Sequence, residues 1–135
     1  MRFMMIMFPP KRAETGVMPE DTKIFEEMNR YNEELQKAGV LLALDGLQPT
    51  SKGARLVLDN GKKKLVDGPF TESKEIVGGY WMIQVRSRDE ALAWLQKVPL
   101  EPGSFVELRQ VFELSDFPEA MQKIAEPLAK TRAEK

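Results

Sequence analysis

The chain has no cysteine and no histidine among its 135 residues. Without cysteine there is no disulfide, no thiolate nucleophile and no zinc–thiolate site. Without histidine the commonest metal ligand is missing, as is the one side chain whose ordinary pKa lies in the physiological range. Nor is there a surplus of basic charge: 20 lysines and arginines face 21 aspartates and glutamates, a net charge of -1. The two signs are interleaved along the chain, which argues against direct contact with nucleic acid. The only basic run, Lys62-Lys63-Lys64, reads as the solvated end of a hairpin. Long apolar stretches are absent too. The start, MRFMMIMFPP, is far too short to span a bilayer and lacks the cleavage site of a signal peptide. It reads as a buried first strand, so no membrane partner is expected and the cytoplasm is the expected location. No Walker loop, dinucleotide fingerprint or nucleophile elbow occurs. Neither a cofactor nor a bound metal is expected.

What is present suits one globular domain with a real core, since 42% of residues are hydrophobic and 30% charged. Phe3 to Phe8 is apolar on both faces, as a central strand would be, and Pro9-Pro10 ends it. The polar connection from Lys11 to Met18 exceeds the usual four to six residues or so and is expected to fold over something. Pro19 opens a helix reaching Ala38, with Ile24, Phe25, Met28, Tyr31, Leu35 and Ala38 on one face and Gly39 as its left-handed cap. Strands follow at Val40–Leu44, Ala54–Leu58 and Lys62–Val66. The last two are joined by Asp59-Asn60-Gly61, a type I′ hairpin signal. Gly79 to Val85 is a further strand. Ser87 with Glu90 forms a capping box that opens a helix through Lys97, whose apolar face is Ala91, Leu92, Leu95 and Val98. Phe105 to Phe112 is the last strand. Asp116 begins a short helix whose end, Lys130 to Lys135, is expected to fray.

This order, β-α-β-(hairpin)-β-α-β, predicts an α+β fold: a ferredoxin-like split βαβ antiparallel sheet with both helices on one face. The strands are apolar on both sides, so the second face also needs cover. A sheet-to-sheet homodimer is the expected solution.

Residues Asp67 to Trp81, DGPFTESKEIVGGYW, carry the most specific pattern. Asp67-Gly68-Pro69-Phe70, Glu72, Lys74-Glu75, Gly78-Gly79-Tyr80, the helix Asp89 to Leu95, Val106-Glu107-Leu108-Arg109 and Met4-Met5 together resemble the YCII-related domain family, in the subgroup named for its DGPF motif. The resemblance covers residues 1–114 and leaves 115–135 as a C-terminal helical extension. It implies a ferredoxin-like fold that is typically dimeric and similar to muconolactone isomerase and related small barrel enzymes. Many members carry no established activity. Some DGPF members are encoded near extracytoplasmic-function sigma factors, which implies a regulatory partner in transcription. YCII-type members have a pocket with a His–Asp pair; a chain without histidine cannot use that base.

The candidate residues each have a structural and a functional reading. Asp67 is expected to bond the amides of its own turn; alternatively it is a pocket carboxylate beside an apolar wall, Phe70. Glu72 and Lys74 point the same way if the segment is extended, placing a carboxylate and an ammonium at one pocket mouth. Gly78-Gly79 is expected to form a bulge, with close backbone approach as the alternative. Tyr80 and Trp81 fall on opposite sheet faces, so one belongs to the core and the other to an interface or pocket wall. Glu107 and Arg109 share a face and are expected to pair, although Arg109 is also the best clamp for a carboxylate. Asp45, ending its strand, either caps a turn or reaches the same cavity. No catalytic residue is assigned. The reading is a small dimeric ligand-binding or accessory protein, whose cleft lies between the sheet, the Asp67–Lys74 segment and the connection after Pro10, and takes a small organic acid. The alternatives are a cofactor-independent isomerase or lyase using Asp67 or Asp45 as base and Arg109 as anion clamp, and the regulatory partner.

Overall fold

Phe3, Met5, Trp81 and Ile83 alternate with half-buried neighbours along two adjacent strands, and that alternation organises the molecule. In the computed structural model, which describes residues 1–133, a four-stranded antiparallel sheet is built from β1 (Arg2–Phe8), β2 (Leu41–Gly46), β5 (Gly79–Gln84) and β6 (Phe105–Gln110). Its order is β2-β5-β1-β6. Helices α1 (Lys23–Lys37) and α2 (Arg88–Gln96) cover one face, which gives the ferredoxin-like α+β architecture. The hairpin of β3 (Ala54–Asp59) and β4 (Lys62–Asp67) stands apart as its own two-stranded sheet. A third helix, α3 (Glu119–Ala133), follows the last strand. No helix among the described residues is long and apolar enough to cross a membrane.

The core follows from periodicity. Met28, Tyr31 and Leu35 of α1 and Ala91, Trp94 and Leu95 of α2 meet Phe3, Met5, Trp81 and Ile83 of the sheet. Two polar tips are satisfied inside it: the Tyr31 hydroxyl donates to the Trp94 carbonyl at 2.8 Å, and Trp81 Nε1 donates to Asn32 Oδ1 at 2.7 Å. Phe25, expected on the apolar face of α1, is instead exposed. It lies about 100° round the helix from Ile24, off the stripe that Met28, Tyr31 and Leu35 define.

Most element ends are where local chemistry puts them. Asn60 and Gly61 have φ of 49° and 78°, the pair of left-handed residues a type I′ turn needs. Gly39 is left-handed, and its N–H and that of Val40 bond the carbonyls of Gln36 and Leu35. Ser87 Oγ accepts the Glu90 N–H, while Glu90 reaches back one residue further than expected, to the N–H of Arg86. Helix α1 begins at Lys23, not Pro19: Thr22 is its N-cap residue, and the Asp21 carboxylate just before it accepts the otherwise unpaired Lys23 N–H at 2.9 Å. Helix α3 begins at Glu119 and not Asp116; residues Leu114–Asp116 form a separate single turn, in which Asp116 accepts the Glu113 N–H. The helix continues to Ala133; of the end expected to fray, Glu134 and Lys135 lie outside the described residues.

The open face of the sheet carries Met4, Ile6 and Phe8 of β1, Tyr80 and Met82 of β5, and Phe105, Glu107 and Arg109 of β6. Its apolar centre is only partly covered within one chain, and Phe8 stacks on Phe105 with centroids 4.6 Å apart.

Candidate functional site

Where β1 runs into Pro9-Pro10, a cleft of about 400 Å³ opens beside the end of the sheet. Three stretches of chain line it: Pro9, Pro10, Lys11, Ala13 and Glu14; Leu47, Gln48 and Pro49; and Phe70 to Lys74 with Ile76, Val77 and Gly78. The first stretch is the long connection after β1, folded here as a short 3-10 turn, Lys11–Thr15. Arg12 on that turn pairs with Glu101, tying the connection to the loop before β6.

One carboxylate holds the walls together. Glu14 accepts the Thr50 N–H at 3.0 Å and also the Thr50 hydroxyl, and the Thr50 oxygen in turn accepts the Phe70 N–H at 3.0 Å. Gly68 lies so close to Thr50 that a Cβ added there would stand 1.7 Å from the Thr50 carbonyl oxygen. Its N–H bonds the Gly53 carbonyl, and the Gly68–Pro69 peptide is cis. Arg55 of β3 places its guanidinium 3.8 Å from the centroid of Phe70 and donates to Ser73 Oγ at 3.2 Å. The DGPF turn is therefore a wall braced from both neighbouring segments.

Phe70, Glu72 and Lys74 line the cleft; Asp45, Asp67, Tyr80 and Arg109 do not. The segment bearing Glu72 and Lys74 is a turn closed by the Ser73 N–H on the Phe70 carbonyl and not an extended run, yet it brings both side chains to the same cleft. Asp67 is exposed at the end of β4, and its carboxylate accepts no hydrogen bond among the described residues, so the expected self-capped turn does not form. The backbone bond of Gly68 and the Thr50 hydroxyl do that work. The Gly78-Gly79 pair makes no bulge: β5 keeps a regular register against β1 through Gly79, and the register shift lies in β2 between Leu41 and Ala43. The glycines serve close approach instead. A Cβ at Gly78 would meet the Pro9 ring at 2.5 Å, and one at Gly79 would meet the Asp45 carbonyl at 2.9 Å.

Trp81 is the buried member of its pair and Tyr80 the one on the open face. The Tyr80 hydroxyl donates to Asp45 Oδ2 at 2.8 Å, and that bond and the charge of the carboxylate hold the phenol above its ordinary pKa. It is a donor at neutral pH, not a base. On the other edge strand, Arg109 pairs with Glu107 at 3.4 Å, an exposed contact worth little in stability. Asp45 on β2 and Arg109 on β6 sit on opposite edges of the sheet, about 14 Å apart at ~4.8 Å per strand. Within one chain a base at Asp45 and an anion clamp at Arg109 do not converge.

Glu14, Thr50 and Arg55, which shape the cleft, escaped the sequence reading. Their partners lie 18 to 36 residues away, and nothing local marks them. The unusual length of the 11–18 connection was the one available signal. Chemically, the cleft offers apolar walls (Pro9, Pro10, Leu47, Pro49, Phe70, Ile76), two lysines and one carboxylate not engaged with Thr50. Among the described residues no three carboxylates gather to hold a metal ion.

The YCII-related domain matches residues 1–115. A relative from Rhizobium meliloti (strain 1021), named "Uncharacterized protein R00369", is 34% identical over 73 residues, 54% of this chain. The match spans 59% of that relative's length. With the domain match extending from β1 through β6, over most of the chain, this protein belongs to the YCII-related domain family.

Proposed function

We propose that the chain is a ligand-binding member of the DGPF subgroup, and that its cleft takes a small organic acid with an apolar body. The observation that carries this reading is the braced cleft. Its walls come from three distant segments, fixed by Glu14 and Thr50, with Phe70, Glu72 and Lys74 on the lining. Pro9, Pro10, Pro49 and Phe70 suit a flat apolar group, and Lys11 and Lys74 suit its carboxylate. The reading includes a homodimer formed through the open sheet face, supported by the partly exposed Met4, Ile6, Phe8, Tyr80 and Met82. It also includes a cytoplasmic location, which fractionation of cells expressing the chain checks.

Thermal unfolding with benzoate, phenylacetate and a medium-chain fatty acid tests the cleft, with benzamide as the neutral control. A ligand present at a hundred times its Kd stabilises the fold by about 2.7 kcal/mol. A saturable rise with at least one acid, lost in Phe70→Ala, is expected; no rise with any acid, or the same rise with benzamide, rejects the acid reading. Sedimentation of Met82→Lys checks the sheet-face dimer, which should dissociate.

A further inference from the structure

Four charged side chains belong to the lining of the cleft: Lys11 and Glu14 on the connection after β1, and Glu72 and Lys74 on the turn after Phe70. They divide into two kinds. Glu14 is fully engaged with Thr50 and is part of the wall. The charges just behind the walls are engaged as well: Arg12 with Glu101, and Arg55 with the Phe70 ring and Ser73. Lys11, Glu72 and Lys74 differ. Among the described residues their side chains make no ion pair and no hydrogen bond. The charges that hold this corner of the fold together are paired, and those that only face the cleft are open.

The open set is two ammonium groups and one carboxylate, and it discriminates between ligands. A plain acid can place its carboxylate with the lysines, but Glu72 then faces it as a like charge. A dicarboxylate adds a second negative charge to the same cleft. An amine alone suits Glu72 and meets two lysines. A molecule carrying one carboxylate and one ammonium matches all three groups. In an α-amino acid those two charges are joined through one carbon, so their partners must be near one another. Glu72 and Lys74 are two residues apart on a turn closed by the Ser73 N–H and the Phe70 carbonyl.

We propose that the ligand is an α-amino acid with an apolar side chain, its carboxylate held by Lys11 and Lys74 and its ammonium by Glu72. The side chain lies against Phe70 and the prolines. This rests on the small-acid reading above and narrows its ligand class. The size agrees: at about 400 Å³ the cleft is near the small end of ligand pockets, roughly 300 to 1,000 Å³, and suits one small molecule. Glu72 is then the residue that sets specificity, because it disfavours every acid that lacks the amine.

Four compounds sharing one phenyl group separate the charges in titration calorimetry. They are L-phenylalanine, 3-phenylpropanoate (no amine), phenethylamine (no carboxylate) and benzylmalonate (a carboxylate in place of the amine). Phenylalanine is expected to bind tighter than each of the others by at least about threefold, within what one exposed charge pair supplies. Glu72→Gln should remove that advantage, weakening phenylalanine while strengthening 3-phenylpropanoate. Glu72 is exposed and unpaired among the described residues, so the variant should fold as the parent does. If 3-phenylpropanoate or benzylmalonate matches phenylalanine in the parent, the amino-acid proposal is overturned and the acid reading stands. Phenylalanine binding that ignores Glu72→Gln overturns it in the same way, since the amine is then not at Glu72. Phenethylamine matching phenylalanine, or no response to either phenylalanine or 3-phenylpropanoate, rejects both readings.

Discussion

Glu14 accepts two hydrogen bonds from a single residue, the backbone N–H of Thr50 at 3.0 Å and the Thr50 hydroxyl. The same Thr50 oxygen accepts the Phe70 N–H, so one threonine joins all three walls of the cleft. Replacing it with valine keeps the shape and removes the hydroxyl, leaving a carboxylate oxygen and an amide without their partners. We expect Thr50→Val to cost about 1 to 3 kcal/mol, because an abandoned polar group loses more than a hydrogen bond contributes. Thr50→Ser should restore most of it. Urea unfolding checks the order. If valine and serine behave alike, the hydroxyl does not brace the cleft.

The neighbouring glycine sets a sharper test. A Cβ at Gly68 would lie 1.7 Å from the Thr50 carbonyl oxygen and 2.6 Å from its carbon, and backbone atoms cannot swing aside. Gly68→Ala should therefore cost about 3 kcal/mol or more, at the upper end for overpacking. At Gly78 the obstacle is the Pro9 ring, at 2.5 Å, a smaller overlap than the one at Gly68, so Gly78→Ala should cost less. Gly46 has nothing within 4 Å, and its alanine variant should stay within about 0.5 kcal/mol of the parent. Thermal midpoints that do not rank Gly68, Gly78, Gly46 in that order contradict the packing account.

These glycines also show how far the sequence could be read. Elements governed by near neighbours were legible: Asn60-Gly61 turns the hairpin, Gly39 caps α1, and the Met28, Tyr31 and Leu35 spacing marks its buried face. The ferredoxin-like antiparallel sheet followed from the succession of elements. Around the cleft, what was misread depended on distant chain. Locally, Gly78-Gly79 is compatible with a bulge or with close approach; only the fold, by laying Pro9 and the Asp45 carbonyl against it, chooses. Asp67 has the chemistry of an Asx turn, but Gly53 and Thr50 satisfy that turn from elsewhere. The cleft itself was anticipated from the long connection after Pro10, while Glu14, its brace, was not.

Arg2 and Glu113 give the acid limb of stability a specific cause. Arg2 Nε and Nη2 meet the two Glu113 oxygens at 2.7 and 3.2 Å, and this bond holds the carboxyl below its ordinary pKa. The unfolded chain thus takes up the proton first as pH falls. The stability from the pair is present above the ordinary glutamate value of about 4.3 and is lost as pH drops through the folded value. Both groups are partly exposed, so the amount should not exceed about 1 kcal/mol. Urea midpoints of parent and Glu113→Gln should differ at pH 7 and converge near pH 2. A gap that widens on acidification has the wrong sign for this pair.

Charge selection in the cleft can be separated from its shape. Glu72 and Lys74 share the lining, whereas Asp45 lies on the open sheet face, bonded to Tyr80. If an acid is the ligand, Lys74→Glu should weaken a responding carboxylate at least tenfold, about 1.4 kcal/mol. Glu72→Gln should strengthen it modestly by removing a like charge. Both effects should shrink as salt rises, because these side chains are exposed and screened. Asp45→Asn should change nothing in the cleft. Titration calorimetry at low and high salt measures all three. An acid whose affinity follows Asp45 and ignores Lys74 would place its site on the sheet face and not beside Phe70.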